Sequence, residues 1–187
     1  MHAILEAADP AKAIGKALRF SQGNMLVKDR MVLENLGKFN QTFLFGAGKA
    51  SCEMASACLQ AGLKVNGGII ITKTAHGTQR DKEICAQHAV EVYEASHPVP
   101  CENGARATNN IVRLLKEIDS PSTLVIWLAS GGGSALTGGV GVHPHLDLAA
   151  LKESIQWLLD SGAEITQGKA KSIIRNAPLT TTTFFGC

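Results

Sequence analysis

Two apolar runs, each ending in a glycine-rich turn, constrain this chain more than any other feature. Thr42-Phe43-Leu44-Phe45 runs without a polar break into Gly46-Ala47-Gly48, and Lys49 to Ala61 then reads as an alanine-rich helix closed by Gly62. Thr123 to Ala129 is the most hydrophobic stretch of the sequence and runs into Ser130-Gly131-Gly132-Gly133-Ser134. A strand that is apolar at every position has no solvent face, so both sides must be covered. Gly68-Ile69-Ile70-Ile71-Thr72 and Ala89-Val90-Glu91-Val92-Tyr93 repeat the pattern, with helical stretches between them. Strands of this kind alternating with helices predict a doubly wound α/β domain. Its sheet is mostly parallel, with helices on both faces, in the Rossmann-like manner.

The remaining elements follow from periodicity. Glu102 to Glu117 carries an apolar stripe of Ala107, Ile111, Leu114 and Leu115, and Leu148 to Leu159 reads as a last amphipathic helix. Ile4 to Leu18 has helical spacing interrupted by Pro10. Gln22 to Gln41 reads as irregular, with one short strand at Met25 to Lys28. His97-Pro98-Val99-Pro100 is a rigid loop because each proline fixes its own φ. Thr180 to Cys187 has neither capping nor turn logic, and the tail is expected to be irregular.

Composition excludes several classes. A net charge of +2 over 187 residues offers no electrostatic footprint for nucleic acid or an anionic membrane. No apolar run approaches the ~20 residues of a membrane span. Early Glu6 and Asp9, with no apolar h-region, argue against a secretory signal, so a cytoplasmic protein is expected. Cys52, Cys58, Cys85, Cys101 and Cys187 form no C-x-x-C pair and are expected to be reduced and mostly buried.

Chemistry is expected at the two glycine turns, since parallel sheets bind ligands outside the carboxyl ends of their strands. At Gly46-Ala47-Gly48-Lys49 a helix start with unpaired backbone N–H groups suits an anion, and Lys49 adds a full charge. A dinucleotide fingerprint would need glycine at Ser51, and a Walker A loop would need glycine at Phe43 and Ser or Thr at Ala50. At Ser130 to Ser134, three consecutive glycines let a ligand approach the backbone, and successive N–H groups can form a nest for phosphate oxygens. Leu136 stands where a nucleophile elbow needs its last glycine. His97 is a plausible site-lining residue, and His76 has the same standing. His143-Pro144-His145 lacks a third metal ligand, so no metal-binding residue is assigned.

Gly46 to Ala50, Gly67 to Lys73, Ser96 to Pro100, Ser130 to Leu136 and Ser161-Gly162-Ala163, in that order, resemble the N-terminal part of class II glycerate 2-kinases, the MOFRL family. The resemblance covers the chain to about Ala163. It implies ATP-dependent phosphorylation of D-glycerate with Mg2+ or another divalent metal. It places a catalytic lysine at Lys49 and a phosphate- or nucleotide-binding turn at Ser130, Gly131, Gly132, Gly133 and Ser134. After Ala163 the family continues into N-x-V-R-K-x-L-S, a Lys-Gly-Gly stretch and a further domain, whereas Glu164 to Cys187 shows none of these. Arg175 does not match the family's catalytic arginine. Residues 1–163 therefore read as an incomplete kinase domain and 164–187 as a divergent tail. Low activity and self-association through an uncovered docking face are expected. A non-catalytic nucleotide-binding or regulatory domain is the alternative. A hydroxypyruvate reductase is disfavoured by Ser51 and by the absence of an acidic residue at the ribose position.

Overall fold

A computed structural model describes residues 9–21, 23–138, 147–160 and 182–186. Residues 1–8, His143-Pro144-His145, Ser161-Gly162-Ala163, Arg175 and Cys187 lie outside the described residues, as does most of the tail.

The first helix, α1 (Pro10–Ala17), begins at Pro10 instead of being broken by it. Asp9 is the N-cap and accepts from the Ala11 and Lys12 amides at 2.9 and 3.1 Å. Proline at the first helical position lacks only a donor that would have had no intrahelical acceptor. Three short strands follow: β1 (Leu18–Ser21), β2 (Asn24–Val27) and β3 (Arg30–Leu33), an antiparallel sheet in that order. This corrects the irregular reading of Gln22 to Gln41. The β2–β3 turn places Lys28 and Asp29 at φ 49° and 60°, so the hairpin closes without the glycine that usually marks it.

The main sheet contains β4 (Gln41–Ala47), β5 (Gly67–Lys73), β6 (Val90–Ala95), β7 (Thr123–Ala129) and β8 (Thr182–Gly186), all parallel, in the order β6-β5-β4-β7-β8. Between them run α2 (Ser51–Gln60), α3 (Gln79–Gln87), α4 (Glu102–Glu117), the single turn α5 (Gly133–Leu136) and α6 (Leu148–Asp160). The expectation of an irregular tail fails for Thr182–Gly186, its described part. Backbone pairing to β7 suits a β-branched and aromatic segment, which is what these residues are.

Alternation along the buried strands builds two cores. Leu44, Ile70, Leu124, Ile126 and Leu128 face one side, where α1, α2, Cys85 of α3 and the hairpin sheet cover them. Phe45, Ile69, Ile71 and Val125 face the other, against Ala107 and Ile111 of α4 and Leu136 of α5. Helices therefore cover both faces. An apolar cavity of about 40 Å³ remains under the hairpin sheet between Leu18, Met25, Cys58 and Ile126. It is purely apolar and carries no chemistry.

Chain order places the ligand edge. From β4 the chain moves outward through β5 and β6, then returns to the opposite side of β4 as β7. The winding thus reverses between β4 and β7, and the crevice beyond the carboxyl ends at such a switch point is where α/β sheets bind ligands. Both glycine turns lie there.

Candidate functional site

The turn after β4 is locked onto the turn after β7. A Cβ at Gly46 would lie 2.9 Å from the Leu128 carbonyl oxygen, so only glycine lets β4 run this close to β7. Gly48 has φ +145°, and a side chain there would collide with Ser130. The Ser130 amide donates to the Ala47 carbonyl at 3.2 Å and the Lys49 amide to the Gly131 carbonyl at 2.9 Å. The Ala50 amide donates to Ser130 Oγ at 3.0 Å. Ser51, buried, places its Oγ 2.8 Å from the carbonyls of both Gly48 and Ile71.

These bonds correct the expectation of unpaired N–H groups at the first turn. The amides of Gly48, Lys49, Ala50 and Ser51 all have acceptors within the protein: the turn after β7 supplies those of Lys49 and Ala50, the Ile71 carbonyl of β5 that of Gly48, and the Gly48 carbonyl that of Ser51. What the first turn presents outward is the exposed side chain of Lys49.

The second turn is more open. Gly132 has φ +89°; a Cβ built on it would lie 2.8 Å from His97 Cδ2, 2.9 Å from His97 Nε2 and 3.5 Å from Lys49 Cε. One backbone position thus has both the imidazole and the lysine stem close beside it. At Gly133 a Cβ would lie 2.9 Å from the Ala47 carbonyl oxygen, while at Gly131 it would meet nothing within 4 Å. Gly132 and Gly133 are glycines because of close approach, and Gly131 is not. Among the described residues the Gly131 and Gly132 amides have no acceptor, and Ser134 is exposed. Ser130 is occupied with the neighbouring turn.

His97 follows β6 and is joined to Pro98 by a cis peptide. Burial pushes its imidazole below the ordinary histidine range, and the positive charges of Lys49, Lys73 and His76 push it further. Lys73 ends β5, and His76 sits in the following loop. That loop is anchored by the Gly77 amide, which donates to Glu53 Oε1 at 3.3 Å. Four cationic or cation-forming side chains thus meet at the carboxyl edge of three adjacent strands. Lys73 was not singled out from the sequence. Its place as the last residue of a buried strand is the signal that could have found it. No group of three His, Cys, Asp or Glu side chains among the described residues could hold a metal ion. The donors at the crevice suit an anion and do not suit a divalent cation.

The model of a domain of unknown function, DUF4147, matches residues 1–168. D-glycerate 2-kinase from Thermotoga maritima is 34% identical over 146 residues, which is 74% of this chain and 32% of that protein. A putative hydroxypyruvate reductase from Agrobacterium vitis is 37% identical over 123 residues, 65% of this chain and 26% of the relative. Glycerate 2-kinase from Sulfurisphaera tokodaii is 26% identical over 181 residues, 90% of this chain and 42% of the relative. The chain therefore spans well under half the length of these relatives. No solved structure matches. On the extent of the family match and the identity to the Thermotoga enzyme, the chain belongs to the DUF4147 family, the N-terminal domain of the glycerate 2-kinase (MOFRL) proteins.

Proposed function

We propose that this chain forms the phosphoryl-binding face of an ATP-dependent D-glycerate kinase. The observation that carries the reading is the convergence, where the winding reverses between β4 and β7, of Lys49, His97 and the Gly131 and Gly132 amides, which have no acceptor among the described residues. Phosphoryl transfer asks a protein chiefly to position oxygens and stabilise their charge, and these groups do both. Lys49 provides the full positive charge at the transferring phosphate. The Gly131 and Gly132 amides and the Ser134 hydroxyl donate to its oxygens. Gly46, Gly48, Ser130 and Gly133 set the distance between the two turns. ATP fits this face through its phosphates. Mg2+ does not fit the described donors, and no step is assigned to it.

The reductase name carried by two relatives is the rival. Against it stands Ser51, which occupies the third glycine position of a dinucleotide fingerprint and is buried and hydrogen-bonded there. Among the described residues the crevice has one cationic wall, with Lys49 open to solvent. Transition-state charge partners beyond that wall are typically worth ~10³-fold or more in phosphoryl transfer. The 187-residue chain alone is therefore a weak catalyst. Steady-state assays of the chain test both points, one with ATP, magnesium and D-glycerate, one with NADH and hydroxypyruvate. The expected result is ATP consumption well below about 1 s⁻¹ with no NADH oxidation. Turnover at about 1 s⁻¹ or faster contradicts the weak-catalyst claim, and NADH-dependent reduction contradicts the kinase reading.

A further inference from the structure

Lys49 and the glycine turn account for an anion site without His97, yet His97 is the side chain closest to Gly132. Its Nε2 lies 2.9 Å from the position a Gly132 Cβ would take, on the open side of a turn whose backbone is at φ +89°. The same point is 3.5 Å from Lys49 Cε. An anion received by the Gly131 and Gly132 amides and by Lys49 must therefore sit beside the imidazole. The charged and titratable groups acting on that ring are Lys49 from the turn after β4, Lys73 from the end of β5 and His76 from the loop beyond it. No carboxylate is among them. The β7 turn contributes only Ser130, glycines and Ser134, and Cys101 at the start of α4 binds the neighbouring Ser96 amide through its sulfur at 3.2 Å.

We propose that His97 is a proton-linked ligand of the anion: it takes up a proton when a dianion seats against Gly132 and donates to it from Nε2. The inference rests on the anion-site reading above and adds a residue and a pH dependence to it. In the free protein, burial and three cationic neighbours disfavour the imidazolium. A bound dianion offsets those same neighbours and is itself an acceptor for a charged N–H, so it favours the imidazolium. The proton comes from solvent, and no covalent bond is made or broken. The sign follows by linkage: the complex holds more protons than the free protein, so affinity rises as pH falls. The change is confined between the bound-state and free-state midpoints of His97 and is at most about tenfold per pH unit. A site of this kind prefers dianionic phosphoryl or sulfuryl groups to monoanionic carboxylates, because one negative charge offsets less of the cationic cluster.

The test uses sulfate, which remains a dianion across the range in which histidine titrates. Sulfate is titrated calorimetrically into the 187-residue chain from about pH 6 to pH 8. Each titration is run in two buffers of different protonation enthalpy, which counts the protons taken up. The expected result is uptake of a substantial fraction of one proton and weakening of binding as pH rises. Both should disappear in His97→Gln, which still binds sulfate more weakly, and both should persist in His76→Gln. A parallel NMR titration of the His97 ring in the unaltered chain needs no variant, and its midpoint should move up when sulfate is added. Binding without proton uptake, or uptake that survives His97→Gln, overturns this inference and leaves the anion site standing. No sulfate, phosphate or ATP binding at any pH overturns both.

Discussion

At the residue scale the site depends on one backbone conformation. Gly132 has φ +89° with His97 directly over the position of a Cβ. Gly132→Val would place a branched side chain in a region that costs of order 1–3 kcal/mol for a non-glycine residue. It would also push the imidazole away from the crevice. Phosphate or ATP binding by calorimetry should be lost while the far-UV circular dichroism remains that of the parent. Unchanged binding would remove this turn from the site. Cys101 gives an independent check on the neighbouring loop. Burial alone would raise its thiol, but the amides of Gly104, Ser96 and Asn103 outweigh it and lower the thiol below its ordinary value. Cys52, Cys58 and Cys85 are buried. Near neutral pH, iodoacetamide should modify Cys101 first among these four, with a rate midpoint below that of a free thiol. Equal rates across the four peptides by mass spectrometry would contradict the geometry of that loop.

At the scale of elements, legibility followed burial. The strands β4, β5 and β7 stood out because both faces are covered and their central positions form unbroken apolar runs, and α4 and β7 have the boundaries the sequence predicts. The helix α3 was missed for the opposite reason. Its sequence QRDKEICAQ is nearly all polar and buries only Cys85, so no apolar stripe announces it. A capping box does mark its start, with Thr78 and Asp81 bonded reciprocally. Of the hairpin sheet only β2 was legible, as the short strand at Met25 to Lys28; β1 and β3 were missed because the strands have four residues each and the β2–β3 turn lacks glycine. Lys49 and Gly132 could be picked out one turn at a time. Their meeting with Lys73, His76 and His97 could not, since it arises only when β4, β5 and β6 are set side by side. The same close spacing makes a strong element-scale prediction. A Cβ at Gly68 of β5 would run into the Leu44 carbonyl of β4. Gly68→Ala should therefore destabilise the protein by about 3 kcal/mol or more, because backbone at the sheet centre must move. A melting temperature within a degree or two of the parent would mean that β4 and β5 are not packed this closely.

At the scale of the whole molecule, the topology decides where chemistry can happen. The return of β7 to the far side of β4 creates the crevice, and the two turns tied by Ser130 close its floor. Among the described residues no helix is long and apolar enough to cross a membrane. The chain belongs to a family whose longer members include proteins named glycerate 2-kinase and putative hydroxypyruvate reductase, and the edge it presents at the switch point is cationic. The central claim is that this edge binds the phosphates of ATP through Lys49. The most direct measurement is a calorimetric titration of ATP into the 187-residue chain and into its Lys49→Ala variant, with melting curves of both. Losing one charge-assisted contact of ~1.5–3 kcal/mol predicts a loss of affinity of about 10–100-fold, with little change in melting because Lys49 is exposed. Equal affinity in the two proteins, or an unfolded variant, would contradict the account.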